Sequence, residues 1–207
     1  MMEVIIRGGF MMIPIIAGSV LALTIILERF WSLQRSRIIP EDFLRRMEKM
    51  VAEGKLSEAL SACRENDSSL ARILAAGLAA GNTREKVREE LEAAGRYEAN
   101  RLSRWVGALG AIAALEPMMG LLGTVLGLIE AFRQVEALKV VGNPSVVAAG
   151  VWQALITTAA GLTIAIPVFA FYRYFRARVT ALVLAMERSA GRVLNLIEAY
   201  TSGGGQK

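Results

Sequence analysis

Histidine is absent from the 207 residues, and cysteine occurs once, at Cys63. The lack of histidine removes the most common metal ligand and the most common proton shuttle near neutral pH. A single cysteine excludes an intrachain disulfide. The sequence also has no nucleophile–base set, no metal-binding cluster and no phosphate-binding loop. It therefore predicts a protein that is not an enzyme and that has no catalytic residues, cofactor or metal site.

Charge is missing from three long stretches, although 21% of the residues are charged. Residues 8–27 and 140–172 contain no charged residue, and residues 105–129 contain only Glu116. A helix that crosses a membrane needs about 20 predominantly apolar residues, and each stretch meets that length. The sequence predicts an all-α integral membrane protein with three transmembrane helices, two of them extended into a cytoplasmic helical bundle.

Basic residues indicate which side of the membrane each segment occupies. Residues 32–104 contain 14 Lys and Arg against 12 Asp and Glu, and Arg173, Arg176 and Arg178 follow the third stretch directly. Because cytoplasmic loops carry an excess of Lys and Arg, we expect the middle segment and the C-terminus in the cytoplasm and the N-terminus outside. The signs alternate without a basic stripe, so the net charge of +5 does not indicate nucleic-acid binding.

The first apolar run is interpreted as a retained helix and not as a signal peptide, because Met1–Arg7 lacks a clear basic region and a cleavage site. The predicted organisation is an outer N-terminus (1–7), transmembrane helix 1 (8–31), a cytoplasmic helical region (32–104), transmembrane helix 2 (105–132), an outer loop (133–147), transmembrane helix 3 (148–172), a cytoplasmic helical extension (173–201) and a disordered tail (202–207).

The cytoplasmic region contains signals for several helices. Pro40 followed by two acidic residues is typical of a helix start, and Gly54 is expected to end that helix. Two more short amphipathic helices follow, and Gly81–Asn82 indicates a turn. From Thr83 onward, we expect one long helix that continues into the membrane as the second span.

The second and third spans contain polar and small residues that lipid disfavours. Gly120, Gly123 and Gly127 form a small-residue face that also holds Glu116, and such faces allow helices to approach closely. Gly161 shares one face of the third span with Thr158 and a neighbouring face with Thr157. Two interpretations stay open. The threonines bond to their own backbone and the glycines only pack, or the two spans form a polar pathway.

Glu116 has three possible environments. An ionised carboxylate near the middle of a membrane costs roughly 3 kcal/mol or more. Glu116 therefore lies at a wet boundary or pore mouth near the cytoplasm, pairs with a basic group, or lies within a pore. Glu116→Gln is expected to reduce function in part without preventing assembly.

Two segments carry a resemblance to a known family. Residues 120–127 read GLLGTVLG, and residues 154–162 read ALITTAAGL, followed by Ala165-Ile166-Pro167. They resemble the two signature segments of the MotA/TolQ/ExbB proton-channel family. The presence of three spans is similar to the ExbB and TolQ branch, ExbB above all.

The resemblance implies a subunit of an inner-membrane motor in bacteria that is driven by the proton motive force. It implies a pentamer that surrounds two single-span helices of an ExbD- or TolR-like partner, and this partner supplies an intramembrane Asp. Lipid surrounds the assembly, and a TonB- or TolA-like protein is a possible further partner. Spans two and three line the pore. The implied pathway residues are Thr124, Thr157, Thr158, Glu116 and Gln153, and the implied kink and packing residues are Pro117, Gly120, Gly123, Gly127, Gly161 and Pro167.

Two departures from the family pattern concern carboxylates. Many relatives have Glu where this chain has Gln153, and Glu116 stands where a small or neutral residue is expected. A threonine hydroxyl does not titrate near working pH, so a proton path needs Glu116 or a carboxylate from another chain. The competing hypothesis is a non-conducting scaffold that assembles a complex through its cytoplasmic helices, with its polar residues facing packed helices.

The two pore threonines are expected at similar depth in the outer half of the membrane. Thr124 follows Trp105 by about 28 Å of helix, and Thr158 follows Trp152 by about 9 Å. Because the two helices are antiparallel, the hydroxyl groups are expected to form a polar collar around a carboxylate of the partner.

Overall fold

The structure, a computed structural model, describes residues 9–81, 83–138 and 144–203, in which every regular element is an α-helix. The all-α class predicted from the sequence is therefore confirmed. In chain order the helices are α1 (Met12–Ser32), α2 (Arg35–Ile38), α3 (Glu41–Ala52), α4 (Leu56–Arg64), α5 (Ser69–Ala79), α6 (Arg84–Leu138) and α7 (Pro144–Gly203).

The chain divides into two compact units, and each is described separately. The spanning unit contains the chain up to Glu28 together with Trp105–Tyr174. The polar unit contains Arg29–Arg104 and the chain from Phe175 onward. Helices α1, α6 and α7 contribute residues to both units.

Three described helices, α1, α6 and α7, are long and apolar enough to cross a membrane, as the sequence predicted. Buried positions on α6 recur every three or four residues, which is the spacing of one helix face. They are Val106, Leu109, Ala113, Glu116, Gly120, Gly123, Gly127 and Ala131. The corresponding buried face of α7 in the spanning unit consists of Ala154, Thr157, Gly161, Ala165 and Val168.

The polar unit has a small core of apolar side chains. Met47 of α3 and Leu70, Ile73 and Leu74 of α5 are almost fully buried. The Ser68 hydroxyl accepts a hydrogen bond from the Ala71 N–H at 3.2 Å and so caps the N-terminus of α5, where backbone donors otherwise lack partners.

One buried ion pair joins α5 to α6 within the polar unit. Glu98, only 2% exposed, accepts hydrogen bonds from Arg72 at 2.8 and 3.1 Å and lies 3.2 Å from Arg101. Burial raises the pKa of Glu98, but hydrogen bonds from Arg72 and Ser69 and the two arginine charges outweigh it and leave the pKa lowered.

Helices are present where the region predicted to be cytoplasmic contains helix signals. Helix α3 begins at Glu41, directly after Pro40, and it ends before Gly54, which adopts a positive φ of 77°. The long helix expected from Thr83 begins at Arg84 and continues to Leu138. The four-residue helix α2 was not predicted, because so short an element leaves no periodic pattern.

Some boundaries differ from those predicted. Helix α1 begins at Met12, and residues 1–7 lie outside the described residues. Helices α6 and α7 both extend into the segment predicted as a loop at 133–147, of which residues 139–143 are not described. Helix α7 also continues to Gly203, two residues into the predicted disordered tail, because adding a residue to an existing helix costs much less than starting one.

Candidate functional site

Helices α6 and α7 pack closely at Gly120 and Gly161 within the spanning unit. A Cβ atom on Gly161 would lie 2.6 Å from the backbone oxygen of Glu116 and 3.3 Å from Cα of Gly120. A Cβ atom on Gly120 would lie 3.0 Å from the Thr157 backbone oxygen and 3.1 Å from Cα of Thr158. The two backbones therefore touch, and a side chain at Gly161 would force them apart.

The close approach continues along both helices, and we call the whole contact the glycine seam. A Cβ atom on Gly123 would lie 2.6 Å from the Thr157 hydroxyl oxygen. One on Gly127 would lie 3.3 Å from Cβ of Ala154, and one on Gly150 would collide with Ala131. Small residues thus alternate between the helices for about three turns, as membrane helices that pack closely require.

The three candidate threonines border this seam, and each hydroxyl donates to a backbone carbonyl. Thr157 is buried and donates to Ala154 O at 2.7 Å in its own helix. Thr124 is half-buried and donates to Leu121 O at 2.6 Å. Thr158, also half-buried, donates across the seam to Gly120 O at 3.1 Å.

Thr124 and Thr158 lie near each other along the length of the seam. Thr158 is bonded to Gly120, which is one helical turn, about 6 Å, from Thr124. Their exposed neighbours on both helices are large and apolar, such as Leu121 and Leu155. The half-buried hydroxyls thus interrupt an apolar surface, and each keeps lone pairs free to accept further hydrogen bonds.

Gln153 lies outside the seam. Its side chain is half-buried and lies against Gly9, just before α1, where a Cβ atom would collide with the amide nitrogen. Gly9 has a positive φ of 70°, which favours glycine. The amide at this position therefore packs on the backbone at the start of α1.

Glu116 lies inside the protein, unlike the wet boundary or pore mouth considered from the sequence. It is 0% exposed, and neither carboxyl oxygen has a hydrogen-bond partner among the described residues. Its side chain lies against Gly18 of α1 and near Ile112. The carboxyl group therefore faces α1, whereas the backbone oxygen of the same residue faces Gly161 of α7.

Pro117 and Pro167 both lie inside continuous helices. A proline has no N–H and so removes one backbone hydrogen bond from a helix. At Pro117 the bond that is lost is the one to Ala113 O, one turn before Gly120 of the glycine seam.

Two residues of this site, Gly18 and Gly150, were not predicted. Gly150 precedes Ala154, Thr157 and Gly161 at spacings of four, three and four, which is a helical-face signal that the sequence does contain. Gly18 carries no such signal, because its importance depends on a carboxyl group 98 positions away in the chain. The described residues contain no group of acidic residues and cysteines that would hold a metal ion.

The fold and the site define an integral membrane protein in which two apolar helices meet at a glycine seam lined by threonines, with one buried acid beside it. Residues 65–188 match the family model described as the MotA/TolQ/ExbB proton channel family. The chain belongs to this family, as the two signature segments indicated.

Similar proteins support this placement. The biopolymer transport protein ExbB-like 3 of Synechocystis sp. is 30% identical over 90% of this chain and 90% of its own length. The ExbB homolog of Methanothermobacter thermautotrophicus is 29% identical over 86% of this chain, which spans 63% of that relative. The structure of C. jejuni MotAB shares the fold, with a TM-score of 0.59 and 21% identity over 88% of this chain and 74% of that one.

Proposed function

We propose that this protein is the ring-forming, proton-conducting subunit of an inner-membrane motor that the proton motive force drives. The observation that carries the proposal is the pair of half-buried threonines, Thr124 and Thr158, which lie within about one helical turn of each other along the glycine seam. Membership of the MotA/TolQ/ExbB family supports it, and so does the burial of small and polar residues on one face of α6 and of α7.

The pathway needs a titratable group that the glycine seam does not provide. Threonine hydroxyls hold and orient protons or water but do not ionise near neutral pH. We therefore propose a partner like ExbD or TolR, with one spanning helix and an intramembrane Asp, whose carboxyl group lies against the threonines. Thr158 would release Gly120 O and donate to that carboxylate, which makes a charge-assisted hydrogen bond.

The proposed assembly is a pentamer of this chain around two such partner helices, with the N-terminus in the periplasm and the C-terminus in the cytoplasm. Motion of the partner would be passed to a TonB- or TolA-like protein for transport or envelope work. Large apolar side chains are exposed on all three spanning helices, for example Ile13, Met118 and Ile166. They fit contact with lipid and with neighbouring copies.

One observation favours the second candidate function, a non-conducting scaffold. All three threonine hydroxyls already donate to backbone carbonyls, as packing residues in membrane helices do. In this alternative, α6 and α7 only hold the assembly together, and no proton passes between them.

The double variant Thr124→Val/Thr158→Val separates the two functions. Valine keeps the shape of threonine and removes the hydroxyl. The proposal predicts that the variant assembles with its partner at wild-type yield but fails to support proton-dependent work in cells. If the double variant assembles and supports proton-dependent work as well as the wild type does, the result would favour the scaffold.

The matched control is Thr24→Val/Thr163→Val. Both of these threonines are exposed, and their hydroxyls donate to carbonyls four residues earlier in the same helix. This control removes the same chemical groups from spanning helices but leaves the seam unchanged. It should work like the wild type.

A further inference from the structure

Glu116 is a buried acid that the glycine seam does not use. It is fully buried in the spanning unit, and both of its carboxyl oxygens lack a hydrogen-bond partner among the described residues. Buried polar groups in native proteins almost always have partners, so an unpartnered carboxyl group calls for a functional reason.

The carboxyl group occupies a notch that a glycine creates. A Cβ atom at Gly18 would fall on the Oε1 atom of Glu116, and the next contact on α6 is a methyl group of Ile112. The oxygen therefore lies directly over the backbone of α1. Any other residue at position 18 would fill the space that the carboxyl group now occupies.

Along the described spanning helices, charged residues are distant from this notch. The nearest charged residue along α1 is ten positions from Gly18, about 15 Å at the rise of a helix. Those along α6 and α7 are twelve positions from Glu116 and from Gly161, about 18 Å. These nearest residues are Glu28, Arg104 and Arg173.

A carboxylate ion in such a notch would have no hydrogen-bond donor among the described residues and no counter-charge nearby along the described spanning helices. Burying an isolated charge costs far more than burying a neutral polar group, and this holds strongly within a membrane. The notch therefore suits the neutral carboxylic acid, which carries one proton on an oxygen atom.

We propose that Gly18 and Glu116 form a proton-binding site within each subunit, between α1 and α6 and separate from the threonines of the seam. The carboxyl group holds one proton there and exchanges it with water that reaches the notch when α1 and α6 move apart. The inference rests on the proposed function in one respect, namely that protons are the ion that this protein handles.

Infrared difference spectroscopy tests the site directly. The wild type and Glu116→Gln are compared in lipid bilayers at neutral pH, first in H₂O and then in D₂O. We expect the wild type to show the carbonyl stretch of a neutral carboxylic acid that Glu116→Gln lacks, and we expect that band to shift in D₂O. The measurement needs neither the partner nor transport, so it remains decisive if the proposed function fails.

Two results would overturn the site. A carboxylate band in place of the acid band would show that Glu116 is ionised, and an acid band without a D₂O shift would show a trapped proton. The matched control is Glu130→Gln on the same helix. Glu130 lies 3.5 Å from Arg133 and accepts a hydrogen bond from Gln134, so its replacement should remove a carboxylate band.

Gly18→Ala tests the notch itself. The added Cβ atom should expel the carboxyl group and lower the Tm by at least about 2 °C. The same substitution in a Glu116→Ala background should have little effect, because the colliding oxygen is absent. An equal loss in both backgrounds would contradict the notch. Gly107→Ala, where a Cβ atom meets nothing within 4 Å, is the control for adding a methyl group to a spanning helix.

Discussion

Gly161 has the least free space of the seam glycines toward the opposite backbone. The nearest atom to a Cβ at this position is the backbone oxygen of Glu116, at 2.6 Å. A backbone atom cannot move aside as a flexible side chain can. The tolerance of this residue to substitution therefore measures how closely α6 and α7 pack.

Gly161→Ala is predicted to destabilise the protein by about 1–3 kcal/mol, because the two helices must separate. Thermal unfolding in detergent measures the change. Gly107→Ala, which adds the same methyl group in open space, should be neutral or stabilising by up to about 1 kcal/mol. Equal effects of the two substitutions would show that the seam is loosely packed.

Glu98 makes the stability of the polar unit depend on pH. Its pKa is lowered in the folded state, since hydrogen bonds from Arg72 and Ser69 and the arginine charges outweigh the effect of burial. A lowered folded pKa stabilises the fold above the unfolded value of about 4.3. This stabilisation is lost as the pH falls through the folded pKa.

At neutral pH, Glu98→Gln should lower the free energy of unfolding by about 1–3 kcal/mol, because charge-assisted hydrogen bonds are weakened. The difference from the wild type should shrink as the pH falls below the unfolded value of about 4.3 and vanish once the pH is below the lowered folded pKa. Denaturant unfolding at a series of pH values measures it. Glu89→Gln, at an exposed position of the same helix, should show no such dependence, and a difference that persists at low pH would contradict the ion-pair account.

The sequence predicted part of the candidate site, and the missing part has a physical reason. The small-residue faces of α6 and α7 follow from helical spacing, so Gly120, Gly123 and Gly127 could be placed together. Which way Glu116 points could not be predicted, because that depends on where α1 packs against α6. Helical spacing says only that Glu116 shares a face with the glycines, and not which neighbouring helix it meets.

At the scale of elements, helix starts and breaks were predictable because single residues determine them. Pro40 and Gly54 define α3 through backbone constraints that act locally. The ends of α6 and α7 were less predictable, because residues with moderate helix propensity can extend an existing helix. Both helices therefore include residues that were predicted to belong to the outer loop.

Gly54 and Gly81 allow a matched test of the turn after α3. Both have positive φ, 77° and 93°, but a Cβ atom at Gly54 would collide with the Tyr200 ring of α7, whereas one at Gly81 meets nothing within 4 Å. Alanine at either site should cost about 1–2 kcal/mol of backbone strain.

Gly54→Ala should cost about 1–3 kcal/mol more than Gly81→Ala, because it also displaces the ring. Thermal unfolding of both variants measures the difference, and Gly54→Ala in a Tyr200→Ala background should approach the effect of Gly81→Ala. Equal losses at the two glycines in the wild-type background would mean that the Tyr200 contact contributes nothing.

At the scale of the whole molecule, the spanning helices of a single subunit leave many large apolar side chains exposed. Phe132, Ile166 and Phe169 are each more than half exposed. Lipid covers such side chains. The half-buried hydroxyls of Thr124 and Thr158 donate to backbone carbonyls, but they keep acceptor lone pairs that lipid cannot satisfy. An assembly that encloses Thr124 and Thr158 resolves this conflict.

The proposed pentamer can be tested by its oligomeric state. Native mass spectrometry in mild detergent should show a ring of identical subunits, and we expect five copies. A stable monomer in several detergents would contradict the assembly and the proposed pathway together.

Proton flux through the purified complex tests the central claim most directly. The protein with its single-span partner is reconstituted into liposomes that contain a pH-sensitive dye, and a membrane potential is imposed. The account predicts acidification that is lost in Thr124→Val/Thr158→Val and retained in Thr24→Val/Thr163→Val. A flux no greater than that of protein-free liposomes, or equal fluxes from the wild type and the seam double variant, would contradict it.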